Sequence, residues 1–170
     1  MKYFLGLDIG GTKTACALAD ERQILGRAKA GSAKVLRVGK AEAAVHLREA
    51  LDAVSAQSGV ALADVTASCI GTSGAAIPDV TDWLREQMAS RVGGTLTVVG
   101  DEVITLDAAF PGDSGVIVIA GTGSNVIGRS HSGWMTHAGG WGPALADEGS
   151  GNLLGQQALR GVFSAINAGE

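Results

Sequence analysis

A mixed α/β fold, one sheet with helices on its faces, is what this sequence predicts. Three observations carry the prediction. The chain opens with three short β-prone runs separated by tight turns, further β runs then alternate with stretches of helical periodicity, and glycine-rich loops close the strand ends.

Residues 3–9 form the first apolar run, Gly10-Gly11 breaks it, and 14–18 resumes before the polar turn Asp20-Glu21-Arg22 and a third run from Ile24. This is a strand meander. Gly31 and Gly39 bracket a short loop, after which Ala44, Leu47, Leu51 and Val54 recur at helical spacing. A buried strand is expected at 67–70, ending in the small-residue loop Gly71-Thr72-Ser73-Gly74. Asp79 stands where an N-cap belongs, ahead of the stripe Val80, Trp83, Leu84 and Met88. A strand at 96–99, a short helix at 102–109 and the turn Pro111-Gly112-Asp113 follow. The strand at 116–120 then leads through Gly121-Thr122-Gly123-Ser124-Asn125 into 126–129, as a hairpin would, and a helix is expected over 152–163.

Composition narrows the function. With 46% apolar and 18% charged residues the chain has the means to build a core. A net charge of −4 without a Lys/Arg cluster argues against nucleic acid and anionic membranes as partners, and favours a small molecule. The longest apolar runs fall far short of the ~20 residues that a membrane helix needs, and the opening Met1-Lys2-Tyr3-Phe4 leads into an aspartate instead of a signal core, so a cytoplasmic location is expected. Cys16 and Cys69 are isolated in apolar, strand-like surroundings, without CxxC or ligand-spaced histidines, and read as two buried, reduced thiols. His46, His131 and His137 have no triad-like partners and read as solvated or capping residues.

Four constellations can carry chemistry. In Asp8-Ile9-Gly10-Gly11-Thr12-Lys13-Thr14, backbone amides at paired glycines can approach phosphate oxygens and the threonine hydroxyl adds a donor. Asp8 at the strand end can hold hydrated Mg²⁺. Thr12 stands where a P-loop needs its lysine, so that motif is excluded; a hairpin turn that merely needs glycine is the plainer reading. The loop 121–125 repeats the chemistry, and two such loops from strands of one sheet could close on a triphosphate. Asp101, at the end of a β run, can serve as general base toward a substrate hydroxyl or cap the helix after it; Asp107, mid-helix, reads as a solvated competitor. Lastly, Gly139-Gly140-Trp141-Gly142 followed by Asp147-Glu148-Gly149-Ser150-Gly151 puts an indole beside carboxylates, which suits a sugar; the plainer reading is a loop anchor with Asp147 capping the next helix.

In this order, GLDIGGTKT (6–14), GTSG (71–74), VVGD (98–101), VIVIAGTGSN (116–125) and GGWGPALADEGSG (139–151) resemble the sugar kinases of the actin, hexokinase and Hsp70 superfamily. The nearest likeness is to the N-acetylglucosamine kinase group of the BadF/BadG/BcrA/BcrD ATPase family. The resemblance implies an RNase H-like, actin-like ATPase lobe with a five-stranded mixed sheet flanked by helices. It implies ATP and Mg²⁺ as cofactors, with Gly10, Gly11, Thr12, Lys13 and Thr122 on the ATP phosphates and Asp8 on the metal side through water. Asp101 would be the catalytic base. Ser73, Gly74, Asp101, Gly123, Ser124, Asn125, Gly140, Trp141, Gly142 and Asp147 would line the sugar. The implied reaction moves the ATP γ-phosphoryl group to the 6-hydroxyl of an amino sugar, N-acetylglucosamine first among candidates. A kinase for glucosamine, N-acetylmuramic acid or another hexose, and a noncatalytic sugar-binding or sensing module, are the alternatives.

Two departures mark this chain within that resemblance. Ser32-Ala33-Lys34 offers no asparagine where the group carries one, and Gly100 replaces the Asn or Thr that precedes the aspartate. The expected layout is one lobe over 1–150, with 151–170 beginning a crossover helix toward a second lobe. A homodimer or that second lobe would complete the kinase.

Overall fold

A computed structural model describes residues 1–142 and 144–169. In chain order the elements are β1 (Phe4–Ile9), β2 (Lys13–Ala19), β3 (Ile24–Gly31), α1 (Val35–Val38), α2 (Lys40–Ser58), β4 (Ala67–Thr72), α3 (Pro78–Ala89), β5 (Thr95–Val99), α4 (Asp101–Ala109), β6 (Gly115–Ala120), β7 (Ser124–Arg129), β8 (Met135–Gly139) and α5 (Gly151–Ala168). The described residues form two compact units, Met1–Ile104 and Thr105–Glu170.

The first unit holds a five-stranded sheet in the order β3-β2-β1-β4-β5. β1 pairs antiparallel with β2 and parallel with β4, and β4 pairs parallel with β5, so the sheet is mixed as expected. Alternation along β1 sends Leu5, Leu7 and Ile9 to one face and Phe4, Gly6 and Asp8 to the other. The first face joins Cys16, Leu18 and Ile70 to Leu47, Leu51 and Val54 of α2 and Val80, Trp83, Leu84 and Met88 of α3 in one buried core. Helix α2 lies close on β3: a Cβ at Gly26 would come within 3.0 Å of the Ser58 nitrogen.

The opposite face carries small side chains. Gly6, Asp8, Ala15, Ala17 and Cys69 line an open apolar groove of about 610 Å³, bounded by Ile104 of α4. Neither cysteine forms a disulfide among the described residues. Cys16 is buried, and its burial raises the thiol pKa; Cys69 is only half-buried.

The second unit holds a three-stranded antiparallel sheet, β6-β7-β8. The glycine loops after β1 and β6 therefore belong to different sheets, which corrects the expectation that their strands pair within one. Leu106 and Ile127 are its buried apolar anchors. The Arg129 guanidinium donates to the carbonyls of Phe110 (2.6 Å) and Asp113 (2.8 Å) and pairs with Asp107, so Asp107 is an ion-pair partner rather than a merely solvated residue. Helix α5 is capped by Ser150, whose hydroxyl accepts from the Leu153 N–H, and Leu154, Leu159, Val162, Phe163 and Ile166 stand exposed along it. No helix among the described residues is long and apolar enough to cross a membrane.

Asp79 is not the N-cap of α3. Pro78 occupies the first turn because its missing N–H costs nothing there, Ile77 takes the cap position without a side-chain bond, and Asp79 falls inside the first turn.

Candidate functional site

In the first unit the chemistry gathers at the carboxyl ends of parallel strands, where open α/β sheets present ligand sites. Asp8 pairs with Gly71 and Ile9 with Thr72, so Asp8 and the Ser73-Gly74 turn emerge from neighbouring strands at one edge. Asp101 follows β5 at the same edge as the first residue of α4; the Gly100 carbonyl accepts from Val103 (3.0 Å), opening that helix. The turn after β4 is closed by Ala75 N–H donating to the Thr72 carbonyl (3.1 Å), leaving Ser73 exposed.

The first glycine loop is a tight hairpin. Gly10 N–H donates to the Lys13 carbonyl at 3.0 Å, and neither Gly10 nor Gly11 lies in the left-handed region. A Cβ on Gly11 would sit 3.1 Å from an Arg37 guanidinium nitrogen, so a side chain there would press on the arginine that braces the loop. Three residues outside the motif brace this loop. Ser32 donates its hydroxyl to the Gly10 carbonyl (2.8 Å), Thr14 Oγ1 accepts from Ala33 N–H (2.9 Å), and Arg37 donates to the Gly11 carbonyl. His46 bonds the Ser32 carbonyl through Nδ1 at 2.8 Å, so it too serves this brace.

In the second unit Asp147 is the hub. Its Oδ1 accepts from the Ser124 N–H (2.7 Å) and the Ser124 hydroxyl (3.3 Å), and the side chain is buried. The Ser150 hydroxyl first, and the Ser124 N–H second, hold the Asp147 carboxyl below the usual carboxylate range. The loop after β6 is fastened from the other side: Gly151 N–H donates to the Gly121 carbonyl (2.8 Å) and Asn152 N–H to the Thr122 carbonyl (3.3 Å). Thr122, Gly123, Ser124 and Asn125 are thus held against the start of α5.

Gly139, Gly140 and Gly142 all adopt positive φ. Trp141 stands between two of them, its N–H bonded to the Ala146 carbonyl at 3.2 Å and its indole 63% exposed. The indole is therefore not a buried anchor of its loop. The Asn125 side chain packs over the Gly140 backbone, with its Oδ1 buried and unpaired.

Among the described residues no three Asp, Glu, His or Cys side chains stand together as a metal-holding group. Asp8 supplies one carboxylate at its strand end, which fits an ion held mostly by water and phosphate oxygens and not one caged by protein.

The model of the BadF/BadG/BcrA/BcrD ATPase family matches residues 5–167. The chain belongs to that family. An N-acetylmuramic acid/N-acetylglucosamine kinase from Clostridium acetobutylicum is 33% identical to this BadF/BadG/BcrA/BcrD family chain over 98% of its length, and an N-acetyl-D-glucosamine kinase from Dictyostelium discoideum is 30% identical over 96%. The chain spans about half the length of these relatives, 55% of each. A Chromobacterium violaceum structure assigned as an N-acetylglucosamine kinase superposes with a TM-score of 0.75 at 29% identity, covering 98% of this chain and 59% of that one. The ROK hexokinase of Thermus thermophilus, at 19% identity and a TM-score of 0.64 over 99% of this chain and 70% of that one, shows the fold, so the sheet is the actin-like ATPase type that the motifs imply.

Within this family member, spacing alone did not reveal Ser32, Arg37, His46 or Ser150. Ser150 was legible in principle, as a serine three residues before Leu153 at the start of an apolar helical stripe. The other three reach the first glycine loop only through the tertiary fold.

Proposed function

We propose that this chain is part of an ATP-dependent sugar kinase that phosphorylates the 6-hydroxyl of an amino sugar, with N-acetylglucosamine as the acceptor. The observation that carries the reading is the anchored Ser124–Asp147 pair beside an exposed Trp141: a fixed carboxylate for hydroxyls and an open ring face for sugar C–H groups.

Bound ATP supplies the phosphoryl group, and Mg²⁺ on its phosphates neutralises the charge that develops during transfer. Gly10 and Gly121 spend their own N–H groups inside the turns, donating to the carbonyls of Lys13 and Gly123. In the first unit a phosphate grip therefore falls to Gly11, Thr12 and Lys13, with Asp8 meeting the ion through water; the second unit offers Thr122. Asp101 accepts the proton of the acceptor hydroxyl and orients its oxygen for in-line attack. In the second unit Gly123, Asn125, Gly140 and Gly142 shape the sugar subsite around Asp147 and Trp141; in the first, Ser73 and Gly74 stand at the same strand ends as Asp101. Catalysis on this plan is mostly positioning and charge stabilisation. Use of ATP and two cysteines outside any disulfide fit a reducing, cytoplasmic setting.

Lys34 favours a second reading. Its backbone N–H bonds Ser32 Oγ at 3.2 Å, and its side chain adds a cation to this segment that would suit a sugar carrying a carboxylate, as N-acetylmuramic acid does. Calorimetric titration with N-acetylglucosamine, glucosamine and N-acetylmuramic acid separates the readings. Selective saturation by N-acetylglucosamine supports the first, preference for the acidic sugar that is lost in Lys34→Ala supports the second, and saturation by none of them refutes the sugar assignment for this chain.

A further inference from the structure

We infer that His137 is the positioning residue for the Trp141 indole, and that through it β8 helps decide which acceptor sugar is taken. The inference rests on the sugar reading of the loop around Trp141.

Burial does not hold either ring, since Trp141 is 63% exposed and His137 is exposed as well. An indole between glycines at φ +73° and +85° would exchange rotamers if nothing stood beside it. His137 stands beside it. The ring centroids are 5.1 Å apart with the planes tilted by 48°, inside the ~4.5–7 Å range of aromatic pairs.

His137 is itself placed by the sheet. It lies opposite Ile127 in the β7–β8 ladder, and Ile127 is fully buried. Its Nδ1–H donates to the Gly139 carbonyl at 3.3 Å. Strand register therefore sets the imidazole, and the imidazole limits the indole. A sugar face needs the indole in one orientation, and a ring already held there binds without the entropy cost of being ordered by the ligand. The pairing therefore acts on sugar affinity and selectivity and leaves proton or phosphoryl transfer to other groups.

The test uses the 170-residue chain with ¹⁵N-labelled indoles. Its three tryptophans give three indole resonances, and Trp141→Phe identifies the one of interest. His137→Ala is expected to shift and broaden the Trp141 resonance while leaving that of buried Trp83 in place, and His137→Phe to restore it. In titrations with N-acetylglucosamine, His137→Ala should weaken binding roughly two- to tenfold, as expected for loss of one aromatic pair. His137→Phe should recover most of that loss, and in a Trp141→Phe background His137→Ala should cost nothing further. A Trp141 resonance unmoved by His137→Ala overturns the pairing, as does a binding loss that persists without Trp141. A resonance that moves in a wild-type chain that the sugar never saturates overturns the sugar reading and the selectivity role with it, while the pairing stands.

Discussion

Replacing Gly140 with alanine should damage both the fold of the second unit and its proposed sugar subsite, and the neighbouring Gly139→Ala supplies the control. Both glycines are left-handed, with φ of +73° and +74°, so each substitution carries about 1–2 kcal/mol of backbone strain. They differ in what the new methyl meets. At Gly139 nothing lies within 4 Å, whereas at Gly140 the Cβ would sit 2.8 Å from Asn125 Cγ and 2.9 Å from its Oδ1. Asn125 has little room to retreat, because its backbone is paired on both sides, to Ile119 and to Gly139. Overpacking of this kind costs about 1–3 kcal/mol, so Gly140→Ala should lose about 2–5 kcal/mol against about 1–2 for Gly139→Ala. Urea unfolding followed by circular dichroism measures both, with separate transitions fitted if the two units melt apart. Sugar titration should show binding largely kept in Gly139→Ala and lost in Gly140→Ala. Equal destabilisation of the two variants, or undiminished binding by Gly140→Ala, would refute the proposed packing of Asn125 over the loop.

Three further outcomes follow from the same geometry. Arg129→Ala removes two donations to carbonyls and a half-exposed ion pair, and should cost about 2–3 kcal/mol in urea unfolding; Arg129→Lys should recover little, because one ammonium cannot reach three acceptors as a planar fork does. The Asp147 carboxyl is held below its unfolded pKa, so its contribution is full above that value, near ~4, and is lost as pH falls through the lower folded value. Thermal melts should therefore show a stability gap between wild type and Asp147→Asn that is constant above about pH 5 and shrinks in acid. If Asp101 is the base, Asp101→Asn in an enzyme that contains this chain should lower kcat by roughly 10²–10⁴-fold and leave sugar affinity nearly unchanged; an unaltered kcat would remove Asp101 from the mechanism.

What the sequence disclosed and what it withheld divide along the range of the interactions. Strand alternation in β1 and the Val80, Trp83, Leu84, Met88 stripe of α3 are local patterns, and both appear in the fold where spacing puts them. Helix ends were less legible. Asp79 looked like a cap, but Pro78 one position earlier set the start of α3. Strand β8 was missed altogether, because Met135-Thr136-His137-Ala138-Gly139 has weak β propensity and becomes a strand through its ladder to β7. The glycine loops were visible by composition, yet their membership of two sheets depends on pairing that no local signal records. The braces from Ser32 and Arg37 to the first loop, and the His137–Trp141 pair, join residues that only the folded chain brings together.

The strand order of the larger sheet has a consequence for synthesis. β1, β2 and β3 can zip together as soon as they leave the ribosome, since each pairs with its neighbour in sequence. The other edge of β1 must wait, because Phe4 pairs with Ala67, 63 residues on. At ~5–20 residues per second that edge stays unpaired for roughly 3–13 s in every nascent chain. Its outward row, Phe4, Gly6 and Asp8, ends in a carboxylate, so Asp8 can act during translation as the charge that discourages one nascent edge from pairing with another.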